Sequence, residues 1–304
     1  MSRRILVTGA FGFLGRYVAR RWASEGWHVT GLGHGEWVVE DWRKWGMDEW
    51  FAADINAEAL MTYAGKPDLI VHCAGSGSVS FSVSHPFQDF ERTTLTMAAV
   101  LEYVRLYSPA TRVVYPSSAA VYGAVHKFPI YENADIDPVS PYGVHKYMAE
   151  DLCRSYAKNY SISVSIVRFF SIYGNGLRKQ LLWDACCKLS SGYAKFAGTG
   201  KELRDWIHVS DAAELLVTAA LEASHKCPVI NGGSGSSTSV REIVSRLAKL
   251  FPNAESNFTG ASRSGDPEHY QADITFASAL GWRPRVDIDQ GIELYAEWFK
   301  SGAV

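Results

Sequence analysis

The stretch R-I-L-V-T-G-A-F-G-F-L-G, residues 4–15, decides the fold. Arg4–Thr8 is a short apolar run, as expected of a strand covered on both faces of a parallel sheet. Gly9, Gly12 and Gly15 follow at three-residue spacing, Phe13–Trp22 reads as a helix, and His28–Leu32 reads as a second strand. Strand, tight turn, helix and strand make a βαβ unit. The glycines allow a sharp turn, a close approach of backbone to a diphosphate, and tight helix–strand packing. The helix start then offers unpaired N–H groups to the anion. In this context the turn predicts dinucleotide binding, against the plainer reading of a structural turn alone.

Working outward, Leu69–Cys73, Arg112–Pro116, Ser163–Arg168 and Val229–Asn231 are further strand candidates, and helix-length segments lie between the first three. Asp89–Tyr107 has apolar residues at helical spacing, and Tyr142–Asn159 follows the helix-opening pair Ser140-Pro141. The predicted class is α/β: a Rossmann-like, doubly wound parallel sheet with a smaller carboxyl-terminal lobe. Residues 1–174 are expected to form the dinucleotide-binding part with the catalytic residues. Residues 175–304 are expected to form mostly the substrate lobe, with a return to the sheet near 205–235.

The 304 residues are 47% hydrophobic and 20% charged, which excludes a disordered or coiled-coil chain. Thirty basic against 32 acidic residues give a net charge of −2, so nucleic acid is not an expected partner. Cys73, Cys153, Cys186, Cys187 and Cys227 form no C-x-x-C pattern; they read as buried thiols in a reducing compartment, with no metal site. The chain enters its first strand directly after Met-Ser-Arg-Arg and has no run of about 18 apolar residues, so a cytoplasmic protein without a membrane span is expected. Trp37, Trp42, Trp45 and Trp50 crowd one segment; they read as a satellite hydrophobic cluster or as contacts for an adenine or a partner subunit.

Tyr142 and Lys146 stand four apart on a predicted helix and so share a face. A phenol titrates near 10 and is a poor base at neutrality; a neighbouring ammonium favours the phenolate, and the same lysine can bond a nicotinamide ribose. S-S-A-A-V-Y-G at 117–123 places the Ser118 hydroxyl at the carboxyl end of a predicted parallel strand, where such sheets bind ligands. A serine hydrolase is disfavoured, because no G-x-S-x-G is present. At the end of the second strand, G-L-G-H-G at 31–35 has Gly33 where an acid would hold a 2′-hydroxyl. Without that acid, and with His34 as a donor to a 2′-phosphate, NADP is the expected cofactor; NAD is the alternative if Glu36 or Glu40 folds back.

With these motifs in register, the chain resembles the extended short-chain dehydrogenase/reductase family, especially its nucleotide-sugar epimerases and reductases. T-G-A-F-G-F-L-G resembles the family's glycine turn, which implies cofactor contacts from Gly9, Phe11, Gly12, Phe13, Leu14 and Gly15. Asp54-Ile55 is similar to its adenine contact, and H-C-A-G at 72–75, with Ala74, to its fourth-strand exit. S-P-Y-G-V-H-K matches the Tyr-x-x-x-Lys signature, which implies Ser118, Tyr142 and Lys146 as catalytic. R-F-F-S-I-Y-G-N-G at 168–176 resembles the loop over nicotinamide and substrate, with Phe169 on the cofactor side and Ser171 on the substrate side. The resemblance further implies Arg204 and Arg263 as diphosphate clamps, Phe196 near the nucleotide base, and a homodimer built on helices 90–107 and 142–159. His208 and Asp211 are expected to hold the lobe in place rather than to touch substrate.

Departures narrow the chemistry. Ala119 and Ala120 stand where the family's 4,6-dehydratases have Asp-Glu, so 4,6-dehydration is not expected. Thr93 and Ser171 replace two customary asparagines. Redox chemistry at a sugar carbon remains. The main expectation is an NADP-dependent 4-ketoreductase acting on a nucleotide-diphosphate sugar. The alternatives are a 4-epimerase with tightly bound NAD and a catalytically silent dinucleotide sensor.

Overall fold

The computed structural model describes residues 3–124, 127–252, 255–260 and 269–302. Seven parallel strands form the main sheet: β1 (Arg4–Thr8), β2 (His28–Gly33), β3 (Glu49–Ala52), β4 (Leu69–His72), β5 (Arg112–Ser118), β6 (Val164–Phe169) and, after three strands outside this sheet, Val229–Gly232. The three are β7 (Ser171–Tyr173), β8 (Tyr193–Phe196) and β9 (Leu203–His208), so Val229–Gly232 is β10. The order β10-β6-β5-β4-β1-β2-β3 reverses direction between β1 and β4, the crevice where doubly wound sheets take ligands. The class is the expected Rossmann-like α/β fold. β3 was not predicted; its four residues E-W-F-A carry no alternation long enough to read.

The strands alternate faces, and each face is covered. Ile5, Val7 and Val71 pack under the helices Phe13–Ala23 and Val209–Glu222, whereas Leu6, Ile70 and Val113 pack under Thr96–Tyr107 and Pro141–Tyr160. The predicted helix over 89–107 is in fact three pieces: Pro86–Phe90, a π-helical turn Glu91–Leu95, and Thr96–Tyr107. A separate core of Leu177, Leu182, Leu189, Phe196, Leu247 and Tyr295 gathers β8 with the helices Gln180–Ser190, Val240–Lys249 and Ile288–Lys300. β11 (Ser237–Ser239) pairs with β9, and β12 (Glu255–Phe258) pairs with β8. The helix Val209–Glu222, between these pieces, packs on the main sheet beside β6 and β10. Asp211 accepts the backbone N–H groups of Arg285 and Val286 at 3.0 and 2.9 Å. His208 holds Ser210 at 2.7 Å at the start of its helix.

The Trp-rich segment is not a separate satellite but extends the core around Val18 and Val29: Trp42 belongs to that core, and Trp37, Trp45 and Trp50 pack against it. The Phe11, Trp37 and Trp50 rings meet at 4.9–6.4 Å, and the Arg16 guanidinium lies 5.3–5.8 Å from the rings of Phe11, Trp37 and Trp45. Arg16 also donates to the Phe11 carbonyl at 2.7 Å, so the cluster braces the glycine turn from outside. No described helix is long and apolar enough to cross a membrane.

A buried ion network pins the Pro141–Tyr160 helix to the sheet. The Glu150 carboxylate has no solvent exposure and accepts from Ser117 at 2.6 Å, Arg168 at 2.7 Å and Arg154 at 2.6 Å. Removing one partner strands a buried charge, whereas removing both can be close to neutral. Arg168→Met is therefore expected to cost about 3–5 kcal/mol in urea unfolding, and Arg168→Met with Glu150→Leu to cost less. A double variant less stable than the single would refute this reading of the network.

Candidate active site

The site forms at the carboxyl ends of β1, β4 and β5. Gly9 closes the turn after β1 with φ +67° and donates to the Leu32 carbonyl at 2.7 Å. A Cβ on Gly9 would lie 2.6 Å from the Ala74 backbone nitrogen, so the β1 and β4 exits touch through bare backbone. A Cβ on Gly15 would overlap the Gly9 carbonyl, which explains the third glycine by helix–turn contact. Gly12 caps the Phe13–Ala23 helix and is exposed; no side chain caps that helix, and no acid lies in its first turn. This cradle fits the diphosphate of a dinucleotide: open N–H groups, positive helix end and no competing carboxylate.

At the adenosine side, His34 and Asp54 meet: His34 Nε2 lies 2.9 Å from Asp54 Oδ1, and both side chains are largely exposed. Asp54, which follows β3, thus brings a carboxylate beside the end of β2. Ile55 is buried in the core below.

Ser118 ends β5, and its hydroxyl accepts from the Ala120 N–H at 3.2 Å. The phenol of Tyr142 faces the Ser118 hydroxyl, which favours its ionised form. The first turn of its helix is fixed from two sides, because Ser140 caps it and the Ser82 hydroxyl accepts the Tyr142 N–H at 3.0 Å. Lys146 is 6% exposed; its ammonium donates to the Pro116 carbonyl at 2.9 Å and lies 4.9 Å from the Tyr115 ring and 6.0 Å from the Tyr142 ring. The structure therefore assembles all three predicted catalytic side chains in one place.

The electrostatics differ from the sequence expectation in one respect. The Tyr142 phenol stands above its ordinary value, because burial outweighs the effect of the Ser118 hydroxyl, and the Asp89 carboxylate pushes it up further. Burial also brings Lys146 down to about 8, against the pull of Cys73, Asp89, Glu150 and Cys153. Desolvation, not the lysine, sets the tyrosine in the protein by itself. Below Lys146, His72 is held near 3 by burial, and this neutral ring bridges Thr8 at 2.7 Å and Thr96 at 3.2 Å.

The substrate-side residues are dispersed. Ser171 starts β7 opposite Trp206 and is half-buried, and Phe169 packs in the core against Gly232. Arg204 lies on β9 opposite Thr238 and donates to the Leu203 carbonyl at 2.9 Å. Phe196 is 3% exposed and packs on Phe258 at 5.5 Å, so its ring lies within the small-lobe core. Arg263 lies outside the described residues. Reading the sequence missed Asp89, His145, Glu150 and His72. Their isolated positions gave no signal, since each acts through a contact distant in the chain. Among the described residues no metal-binding group of His, Cys, Asp or Glu is found.

Such a glycine cradle beside Ser, Tyr and Lys on a doubly wound sheet defines a dinucleotide-dependent short-chain dehydrogenase/reductase. Residues 5–231 match the NAD dependent epimerase/dehydratase family, and the chain belongs to it. A putative UDP-glucose 4-epimerase of Methanocaldococcus jannaschii is 28% identical, with 98% of each chain covered. A UDP-glucose 4-epimerase of Azospirillum brasilense is 29% identical over 96% of this chain and 90% of its own. The structure of MoeE5 in complex with UDP-glucuronic acid and NAD superposes with a TM-score of 0.89 at 28% identity, covering 98% and 99% of the two chains.

The cradle yields a direct test. Gly9→Ala must hold a side chain at φ +67° and press its methyl on the Ala74 backbone. It is expected to lose about 2–3 kcal/mol of stability and most of its dinucleotide affinity. Unchanged melting and unchanged NAD binding would contradict the close-approach role.

Proposed function

We propose that the protein is a nucleotide-sugar 4-epimerase that retains NAD. One observation carries this reading: Ser118, Tyr142 and Lys146 form a single proton-handling set, and the two positions after Ser118 are Ala119 and Ala120. Methyl groups cannot take or give the second proton that eliminating water requires. What this set can do is remove a proton from a sugar hydroxyl and return it to the same oxygen.

The cofactor reading follows from the adenosine edge. The reductase expectation rested on the absence of an acid at the end of β2. Asp54 beside His34 supplies a carboxylate there, which favours the free 2′-hydroxyl of NAD and opposes a 2′-phosphate. The MoeE5 complex, which holds NAD, supports the same cofactor, and the names of the two relatives support the 4-epimerase reading.

A bound oxidised nicotinamide would supply the hydride acceptor, the later hydride donor and a positive charge. The Tyr142 phenolate takes the proton of the sugar hydroxyl, Ser118 orients that oxygen, and Lys146 stabilises the phenolate and positions the cofactor ribose. With the hydride given back to the opposite face of the turned keto sugar, Tyr142 would return the proton to the same oxygen, and the epimer would result. A nucleotide-diphosphate sugar is the proposed substrate, with Arg204 and Arg263 on its diphosphate. The helices Thr96–Tyr107 and Pro141–Tyr160, whose Leu106, Val144 and Met148 are exposed, are the proposed homodimer face.

Denaturing the purified protein is expected to release NAD, and the protein is expected to interconvert a UDP-hexose and its 4-epimer without added cofactor. NADPH consumption with a 4-keto sugar nucleotide, and no epimer formed, would instead establish the reductase. The lysine adds a pH prediction. Lys146 keeps its ammonium below about 8 and loses it above, so turnover should fall as pH rises through that value. Lys146→Met should be slow at every pH, without that limb.

A further inference from the structure

Asp89 is the one carboxylate other than Glu150 with no solvent exposure that acts on the catalytic pair, and the mechanism above does not use it. Its Oδ2 lies 2.6 Å from Nδ1 of His145, the residue immediately before Lys146. Its Oδ1 is buried with no hydrogen-bond partner. A fully buried, half-satisfied carboxylate is costly, and a packing role would be served better by an apolar residue.

The surroundings are built to hold this pair. The π-helical turn Glu91–Leu95 begins two residues after Asp89. Such turns commonly reshape a helix at functional positions. Here the turn brings the Thr94 hydroxyl to the His145 carbonyl at 3.2 Å. The Phe90 ring meets the His145 ring edge-on at 5.7 Å. Asp89, on one helix, thus holds the next helix at a residue between Tyr142 and Lys146.

We propose that Asp89 and His145 are a positioning pair that sets the charge balance of Tyr142 and Lys146, and so the pH at which the tyrosine becomes a base. The inference rests on the Tyr–Lys reading above and assigns no contact with substrate to either residue. The charged and titratable groups around the pair are few. Tyr142 faces Asp89 and the Ser118 hydroxyl, and Lys146 faces Cys73, Asp89, Glu150, Cys153 and, from below, His72. Asp89 also faces the buried phenol of Tyr115. In this set the Asp89 carboxylate opposes the phenolate and supports the ammonium, and the His145 ring is its one side-chain partner, at Oδ2.

The sign follows. Asp89→Asn removes the negative neighbour, so the phenolate forms at lower pH, and the lysine ammonium is also lost at lower pH. His145→Leu removes the partner at Oδ2 and leaves the carboxylate without a side-chain hydrogen bond, so both move to higher pH. A merely structural pair would not shift the two variants in opposite directions.

The experiment is a titration of the NAD-loaded protein followed by phenolate absorbance near 295 nm, with Tyr142→Phe as the blank, alongside the pH profile of kcat. The expected result is a Tyr142 midpoint lowered by about one pH unit in Asp89→Asn and raised by about half a unit in His145→Leu. A variant that moves its midpoint by less than about 0.2 units, or moves it the other way, overturns the proposal. Each variant is decisive alone, so failure of one to fold leaves the other as the test. If the wild type turns over no sugar nucleotide yet the midpoints separate as stated, the epimerase reading falls and the pair's role stands. Normal epimerisation with coincident midpoints is the reverse result.

Discussion

The Glu150 carboxylate is the interaction on which the site depends. It lies on the helix that carries Tyr142 and Lys146, and it binds Ser117 of β5 and Arg168 of β6 in the same dry space. Ser117 precedes Ser118, so one buried acid fixes the rotation of the helix relative to the strand that presents the hydroxyl. Three side chains from distant parts of the chain meet because this network leaves the helix no alternative seat. Its price is fragility, since each member depends on the others to offset the loss of hydration.

The same dryness governs the chemistry. Burial moves the tyrosine up and the lysine down, opposite to what the proposed reaction needs from each. In water their spacing alone would favour the phenolate; inside the protein the solvation term is larger. The Ser118 hydroxyl works against burial at the tyrosine, and the Pro116 carbonyl with the carboxylates of Asp89 and Glu150 does so at the lysine, although Asp89 also pushes the tyrosine up. A neutral His72 below, tied between two threonines, keeps a further positive charge away from Lys146.

The cofactor side follows a different principle, in which backbone rather than side chains does the work. Gly9, Gly12 and Gly15 remove the atoms that would separate the β1 turn from Ala74 and from the helix start. The aromatic cluster on Phe11 and Trp37 then clamps this permissive turn through Arg16. Rigidity lost by choosing glycine is returned by packing from outside, and the helix end keeps its open N–H groups.

The periodic and the local were legible in the sequence. Buried parallel strands, the glycine turn, and a Tyr and Lys one helical turn apart are written in adjacent residues, so the fold class could be read directly, as could Ser118, Tyr142 and Lys146 as candidates that the fold then brings together. The short β3, the π-helical turn that breaks the helix over 89–107, and the place of Phe196 inside the small-lobe core could not. Nor could the pairs Asp54–His34, Asp89–His145 and Glu150–Arg168, whose members lie 18 or more residues apart. Local sequence determines backbone geometry through short-range sterics and hydrogen bonding. Which charges meet, and how much water they lose, depends on strands and helices packed from remote segments, and only the tertiary structure decides that.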